Sequence, residues 1–95
     1  MNEKNSHSAF ITVIGRDRVG IIAAVSTLLA EANVNINDIS QTILQDNFTM
    51  IMSVDLAKAT LDIKALADRL EEKGRELGLS ILIQHADIFH AMHRI

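Results

Sequence analysis

The sequence contains no cysteine, proline, tryptophan or tyrosine among its 95 residues. The lack of cysteine excludes a disulfide framework, a thiolate zinc site and a cysteine nucleophile. Three phenylalanines are the only aromatic residues, and the scattered basic residues leave a formal net charge of −3. We therefore expect no nucleic-acid partner, because such binding needs clustered lysine and arginine together with aromatic side chains on which bases stack.

Long apolar segments are also missing, since no stretch is long enough to span a bilayer. Residues 1–8 are polar and lack the apolar run of a signal peptide, so we expect a cytoplasmic protein without membrane contact. No linker or low-complexity segment interrupts the chain. The expected organisation is a flexible tail at 1–8, one domain at 9–87 and a short docking segment at 88–95.

The first two predicted elements are a strand and an amphipathic helix. Ala9–Ile14 is rich in β-branched and aromatic residues and predicts a strand buried on both faces. After a loop that ends at Gly20, apolar residues recur at helical spacing and define one buried side: Ile21, Val25, Leu28, Leu29 and Ala32. Asn33 tolerates the left-handed conformation and is expected to end the helix.

Two segments with alternating polarity predict a β-hairpin. The first, Asn35–Gln45, has Ile39 and Ile43 on the same side. The second, Phe48–Leu56, alternates more strongly, and its apolar side has five members: Phe48, Met50, Met52, Val54 and Leu56. Asp46 and Asn47 are the expected turn, because both residue types accept positive φ.

A second helix is predicted from about Asp62, a candidate N-cap, to Leu77, with Gly78 just beyond its end. Its apolar side is defined by residues at helical spacing: Ile63, Leu66, Ala67, Leu70, Gly74 and Leu77. Leu79–Ala86 is the last predicted strand. The C-terminal segment carries a stripe that needs to dock, on its own domain or on a partner subunit, to be ordered: Ile88, Ala91, Met92 and Ile95.

The predicted order is β-α-β-β-α-β. Right-handed crossovers place both helices on one face of a four-stranded antiparallel sheet with strand order 4-1-3-2. The expected fold class is therefore α+β, a ferredoxin-like two-layer sandwich whose other sheet face is semi-apolar and open to a covering partner.

The loop between the first strand and the first helix is the main candidate binding site. Gly15 and Gly20 permit tight turns, and the N–H groups at the helix start can bind a carboxylate or phosphate. Asp17 beside them suits a zwitterionic ligand, because its carboxylate would accept hydrogen bonds from the ammonium group of that ligand. The simpler alternative is that Asp17 only caps the helix. A nucleotide-binding P-loop is excluded, because Ile21 and Ile22 follow where that motif has Lys and Ser or Thr.

Two other polar clusters are weaker candidates. Short polar side chains gather before and within the second strand, where they suit a turn as well as a ligand site: Asn33, Asn35, Asn37 and Asp38. Three histidines near the C-terminus are the remaining metal candidates: His85, His90 and His93. No carboxylate lies at a recognised spacing from them, so we expect neither a metal site nor a cofactor.

The segment from about Ile11 to Ile43 resembles the signature of the ACT domain family. Asp17-Arg18-Val19-Gly20 resembles its Asp/Asn-Arg-Pro-Gly loop, Leu29-Ala30-Glu31 its Leu-Ala-Glu helix end, and Val34-Asn35-Ile36 its aliphatic-Asn-Ile strand start. ACT domains have the same βαββαβ order, so the resemblance extends over almost the whole chain. Within the family, the chain is similar to small stand-alone ACT proteins and to the ACT halves of the glycine cleavage system transcriptional repressor.

The resemblance implies a regulatory, non-catalytic homodimer or higher oligomer that binds an amino acid or related small metabolite and acts on a protein partner. It implies a ligand between the first loop of one chain and the start of the second strand in the other. On that basis the ligand-binding residues are Asp17, Arg18, Val19, Gly20, Ile21, Asn35 and Asn37.

Asp17 and Asn35 match asparagine contacts in the serine-binding ACT domain of phosphoglycerate dehydrogenase. An ionised Asp17 accepts hydrogen bonds but donates none, and Val19 replaces the common proline, so the identity of the ligand does not carry over.

Two rival functions remain open at this point. A dimerisation or protein-interaction module without a small ligand would use the same sheet and helices. An acylphosphatase-like enzyme, which shares this topology, would pair Arg16 or Arg18 with Asn35 or Asn37. The acylphosphatase loop signature Gly-x-Val-Gln-Gly-Val is absent from the sequence.

Overall fold

The computed structural model describes residues 7–92. Its elements in chain order are β1 (Ser8–Arg16), α1 (Ile21–Glu31), β2 (Asn35–Leu44), β3 (Asn47–Asp55), α2 (Ile63–Leu77), β4 (Leu79–His85) and α3 (Ala86–Met92). The predicted βαββαβ order is confirmed, with α3 added at the end. Residues 1–6 of the predicted tail and residues 93–95 of the docking segment lie outside the described residues, as do the side chains of His90, Ala91 and Met92.

The sheet has the order β2-β3-β1-β4, and all three neighbouring pairs are antiparallel. The predicted order 4-1-3-2 is therefore confirmed, and β1 and β3 are the central strands. Both α1 and α2 lie on one face of the sheet, as expected for a ferredoxin-like α+β sandwich. That face carries the core, which includes Ile11, Met50, Met52, Leu29 and Leu66 at 2% exposure or less.

The prediction that β1 is buried on both faces is wrong. Ala9, Ile11 and Val13 point into the core and are 0% exposed, whereas Ile14 on the other side of the strand is 51% exposed. Its apolar composition suggested a strand between two layers, but only one face of the sheet is covered by α1 and α2. In the described part of the chain the outer face of β1 is instead partly exposed, with Phe10 and Thr12 half-buried and Ile14 exposed.

The boundaries of α1 and α2 follow the capping signals in the sequence. Asp62 caps α2, since its Oδ1 accepts a hydrogen bond from the amide of Ala65 at 2.8 Å. Gly78, with φ 74°, ends α2 in the left-handed conformation. Asn33 has φ 58° just after α1, as predicted. The five predicted inward residues of α1 are all buried.

The hairpin turn lies one residue earlier than predicted. Gln45 and Asp46, not Asp46 and Asn47, have positive φ, at 52° and 71°, and Asn47 is already paired in β3. Asp and Asn are the better turn formers, but the sheet register overrides that preference. Asn47 pairs with Arg16 of β1 as well as with Leu44 of β2, which keeps it in the strand beside Phe48, itself 3% exposed.

The short helix α3 contacts the sheet through Phe89, a residue outside the predicted stripe, of which only the side chain of Ile88 is described. Phe89 stacks on Phe10 of β1 with ring centroids 4.4 Å apart, whereas Ile88 is 51% exposed. The aromatic pair therefore holds α3 on the outer face of the sheet. Within residues 7–92, no helix is both long and apolar enough to cross a membrane.

Candidate functional site

The β1–α1 loop (residues 17–20) opens directly into α1 at Gly20. Gly20 has φ 94°, a left-handed conformation in which a side chain is strained, and it supplies no side-chain cap to the helix. The interpretation of Asp17 as a helix cap is therefore wrong. Because the cap position carries no side chain, the N–H groups of the first turn of α1 are open to an anionic group of a ligand.

The first two residues of the loop contact distant parts of the fold. The amide of Asp17 donates to the carbonyl oxygen of Asp46 in the hairpin turn at 2.8 Å. A guanidinium nitrogen of Arg18 lies 3.5 Å from the carbonyl oxygen of Leu77 at the end of α2. Directly after these two anchors, the side chain of Val19 is 97% exposed. The loop thus presents an exposed surface on a fixed backbone.

The second group of predicted residues lies at the start of β2. The amide Nδ2 of Asn35 donates to Oδ1 of Asn37 at 2.8 Å, so the two side chains are held together. The register against β3 shifts between Ile36 and Asp38, which makes Asn37 the extra residue of a β-bulge. Bulges re-aim side chains, and this one orients polar groups at a strand end.

A cleft of about 520 Å³ adjoins Asn35, and it contains two charged residues that the sequence reasoning missed. Asp55 ends β3, and Lys58 lies in the following loop. The carbonyl oxygen of Lys58 accepts a hydrogen bond from Nδ2 of Asn33 at 2.8 Å. No local motif marks these residues. They reach the cleft because β3 pairs with β2, and Asp55 is directly opposite Asn35.

Within one chain the two groups of candidate residues lie at opposite ends of the sheet. Asn35 is in register with Asp55 and through it with Ser8, whereas Arg16 at the other end of β1 is in register with Asn47. Ser8 and Arg16 are eight residues apart, which corresponds to about 26 Å along a strand. A single chain therefore does not bring Asp17 and Asn35 together.

Within one chain, the same separation keeps apart the residues that the acylphosphatase alternative would pair. Arg16 and Arg18 are at the loop end, and Asn35 and Asn37 are at the opposite end, so the required pair does not form within a chain. Among the described residues there is also no group of three or more His, Cys, Asp or Glu side chains arranged to hold a metal ion.

Comparison with known proteins identifies the family. Residues 7–84 match the model of the ACT domain. The chain belongs to the ACT domain family. A UPF0237 protein from Clostridium acetobutylicum is 54% identical over 87 residues, which cover 92% of this chain and 98% of the relative.

Two solved structures extend the comparison to the fold. An ACT domain protein from Streptococcus pneumoniae is similar with a TM-score of 0.77 and 43% identity, covering 88% of this chain and 94% of that one. A protein named as a glycine cleavage system transcriptional repressor is similar with a TM-score of 0.72 and 26% identity, covering 82% of this chain and 44% of that one. The expected similarity to half of such a repressor is thus confirmed.

Proposed function

We propose that this ACT domain is a regulatory, non-catalytic homodimer that binds an amino acid or a related zwitterionic metabolite between the β1–α1 loop of one copy and the start of β2 of the other. The observation that carries the proposal is the placement of the two candidate groups at opposite ends of one sheet. A second copy related by a two-fold axis reverses the direction of the strands, so that opposite ends become neighbours.

The edge strand β2 supplies the surface for such pairing. It lies at one side of the sheet, and all but one of its ten residues are exposed. Ile39 and Ile43, which point to the helical face, are 41% and 53% exposed because α1 and α2 do not extend over them. The strand contains no lysine and no proline, the residues that commonly prevent edge strands from pairing.

The residues of β2 also select one register for two-fold pairing. Antiparallel partners that keep both helical layers on one side must place inward residues opposite inward residues. Centring the axis on Gln41 pairs Ile39 with the partner's Ile43, and the reverse. Centring it on Ser40 or Thr42 instead places an isoleucine opposite glutamine. The Gln41 register is therefore the one that buries both apolar side chains against each other.

This register would bring the two candidate groups together. Asn37 falls opposite the partner's Gln45, next to the partner's Asp46, whose carbonyl oxygen holds the β1–α1 loop. The N–H groups at the start of α1 after Gly20 would bind the ligand carboxylate, and the carboxylate of Asp17 would accept hydrogen bonds from the ammonium group. The amides of Asn35 and Asn37 would supply polar contacts from the other copy.

Single cysteines test the register without background, because the chain has none. In Gln41→Cys the two cysteines of a dimer would face each other at about 5 Å between Cα atoms, within disulfide range. We expect mild oxidation to link this variant into a dimer on a non-reducing gel. Leu44→Cys is the control, because its two copies would be about 20 Å apart. Equal linkage of both variants, or none in either, contradicts the register.

Ligand binding is tested by calorimetry and thermal unfolding with a panel of amino acids and related metabolites. A ligand that binds only the paired state would add about 2.7 kcal/mol of stability at a hundredfold excess over its Kd. We expect Asp17→Ala and Asn35→Ala each to abolish this gain while Gln41→Cys linkage in the same background persists. A linked dimer with no heat and no melting shift from any compound would favour the interaction module without a ligand.

A further inference from the structure

The cleft beside Asn35 is formed by a single chain and combines polar side chains with a small apolar wall. Its volume of about 520 Å³ is within the range of about 300–1,000 Å³ that is common for small-molecule sites. Val34 and Ala57 are part of the apolar wall, and four polar residues line the rest: Asn33, Asn35, Asp55 and Lys58. Asn35 also belongs to the proposed ligand contacts, so the cleft continues directly from that site.

Asp55 gives the cleft a negative charge in a fixed position. The residue is half-buried at the end of β3, and its Oδ1 accepts a hydrogen bond from the amide of Ala57 at 2.9 Å. Among the described residues, this carboxylate has no other hydrogen bond and no ion pair. Its second oxygen is therefore available to a donor group of a ligand.

The two asparagines add hydrogen-bond acceptors. Nδ2 of Asn33 donates to the carbonyl oxygen of Lys58, and Nδ2 of Asn35 donates to Oδ1 of Asn37, both at 2.8 Å. Their own Oδ1 atoms can only accept hydrogen bonds, and no described residue donates to them. The polar atoms that the asparagines and Asp55 leave available are thus mainly acceptors, which favour a ligand group rich in N–H donors.

The end of α1 adds a partial negative charge on the same side. Ala30, in the last turn of α1, lines the cleft, and that turn contains no basic side chain. The C-terminal end of a helix carries about half a negative elementary charge, which stabilises a nearby cation.

Lys58 is the cation among the residues that line the cleft, and its charge is not fixed there. Its side chain is exposed, and both ion pairs between described residues lie on α2, so Lys58 is paired with neither Asp55 nor another carboxylate. Its ammonium group is at the end of a flexible stem of four carbons and can move into solvent. The charges that stay in place, on Asp55 and at the end of α1, are negative.

We propose that this cleft binds the cationic side chain of a basic amino acid, lysine or arginine, and that the ligand of the ACT domain belongs to this class. The ammonium or guanidinium group would donate to Asp55 and to the amide oxygens, and its aliphatic part would pack on Val34. Lys58 would compete for the same acceptors. The inference rests on the proposed function only for the main-chain end of the ligand, because the cleft is complete within one chain.

Calorimetry with matched pairs of amino acids tests the charge requirement. The probes are arginine with its neutral counterpart citrulline, and lysine with its neutral counterpart norleucine. We expect the cationic member of at least one pair to bind about tenfold more tightly or better, because a charge-assisted hydrogen bond is lost in the neutral member. No binding of arginine and lysine, or equal affinities within both pairs, would overturn the proposal.

Substitutions of the two charged residues should have opposite effects. Asp55→Asn keeps an oxygen for the amide of Ala57 and removes the charge, so affinity for the cationic amino acid should fall about tenfold or more. Asp62→Asn is the matched control, because Oδ1 of Asp62 likewise accepts a backbone amide, far from the ligand contacts. Asp62→Asn should leave the affinity unchanged.

Lys58→Met removes the competing ammonium group and should raise the affinity for the same amino acid. Lys64→Met, on the exposed side of α2, is its control and should have no effect. Weaker binding in Lys58→Met together with tighter binding in Asp55→Asn would mean that the cleft takes an anionic side chain, which would overturn the proposal.

Fragments without main-chain groups separate this inference from the proposed dimer. Butylammonium and propylguanidinium reproduce the side chains of lysine and arginine, and amide chemical shifts of residues 55–58 report their binding. We expect shifts that Asp55→Asn removes and Asp17→Ala does not. That result would support the cleft even if Gln41→Cys failed to link. A neutral amino acid that needs Asp17 but not Asp55 would overturn the cleft and leave the proposed function in place.

Discussion

The amide of Asp17 donates a 2.8 Å hydrogen bond to the carbonyl oxygen of Asp46, which ties the β1–α1 loop to the hairpin turn between β2 and β3. These residues are 29 positions apart, and β3 connects them by pairing with β1. The position of the candidate binding loop therefore depends on the geometry of a turn that has no ligand contact of its own. Changes in that turn affect both the stability of the sheet and the position of the loop.

The turn itself contains a residue that is poorly suited to its conformation. Gln45 has φ 52°, a left-handed conformation that asparagine adopts more readily than glutamine. We expect Gln45→Asn to raise the free energy of unfolding by about 0.5 kcal/mol and Gln45→Val to lower it by about 1 kcal/mol or more. Urea unfolding at matched chain concentration measures both. A change of the same sign in the two variants would show that the turn strain is not the cause.

Substitution of the two glycines with positive φ distinguishes an effect on stability from an effect on ligand binding. Gly20 has φ 94° and Gly78 φ 74°, and an added Cβ would meet no atom within 4 Å at either position. Gly20→Ala and Gly78→Ala should therefore each lose about 1 kcal/mol of stability from backbone strain alone. Only Gly20→Ala should also weaken binding of an amino acid, because Gly20 opens the start of α1.

Calorimetry with whichever amino acid stabilises the wild type, together with urea unfolding, measures the two effects. Gly78→Ala is the matched control, since it has the same kind of strain at the other helix boundary. Equal loss of affinity in both variants would mean that reduced stability, and not the geometry of the loop, determines binding.

The fold could be predicted from the sequence because its signals are local and agree with one another. The alternation of Phe48, Met50 and Met52 fixes which side of β3 is buried, and Asp62 and Gly78 mark both ends of α2. The predictions of β1 burial and of the hairpin turn are wrong because both features depend on residues that are distant in the sequence. Whether Ile14 is buried depends on which layers cover the sheet, and the turn at Gln45 depends on the register with β3.

The candidate site could be predicted only in part. Local chemistry and the family resemblance predict the residues of the loop and of the β2 start. Their separation to opposite ends of the sheet follows from α1 running back along the strands, which the predicted topology already contained. Lys58 and Asp55 were missed because they join the cleft beside Asn35 through strand pairing and a loop, without any sequence motif.

Capping of α2 gives a stability prediction that is independent of any ligand. Oδ1 of Asp62 accepts the amide of Ala65 at 2.8 Å. Asp62→Ala should lower the free energy of unfolding by about 1 kcal/mol, because the first turn of α2 loses its side-chain acceptor. Asp68→Ala, on the exposed side of the same helix, removes the same charge and should change stability by less than about 0.5 kcal/mol. Similar losses in both variants would indicate a general charge effect.

Asn33 combines a left-handed backbone with a long-range hydrogen bond, and two substitutions separate them. It has φ 58°, and its Nδ2 donates to the carbonyl oxygen of Lys58 at 2.8 Å. Asn33→Gly keeps the backbone relaxed and removes the hydrogen bond, so we expect a loss of about 1 kcal/mol. Asn33→Ala adds backbone strain to that loss, for a total of about 2 kcal/mol. Because the bond joins the end of α1 to the loop that carries Lys58, hydrogen exchange in residues 56–60 should rise in both variants to the same extent. If exchange rises only in Asn33→Ala, the backbone conformation of residue 33 orders the loop, and the side-chain hydrogen bond to Lys58 does not.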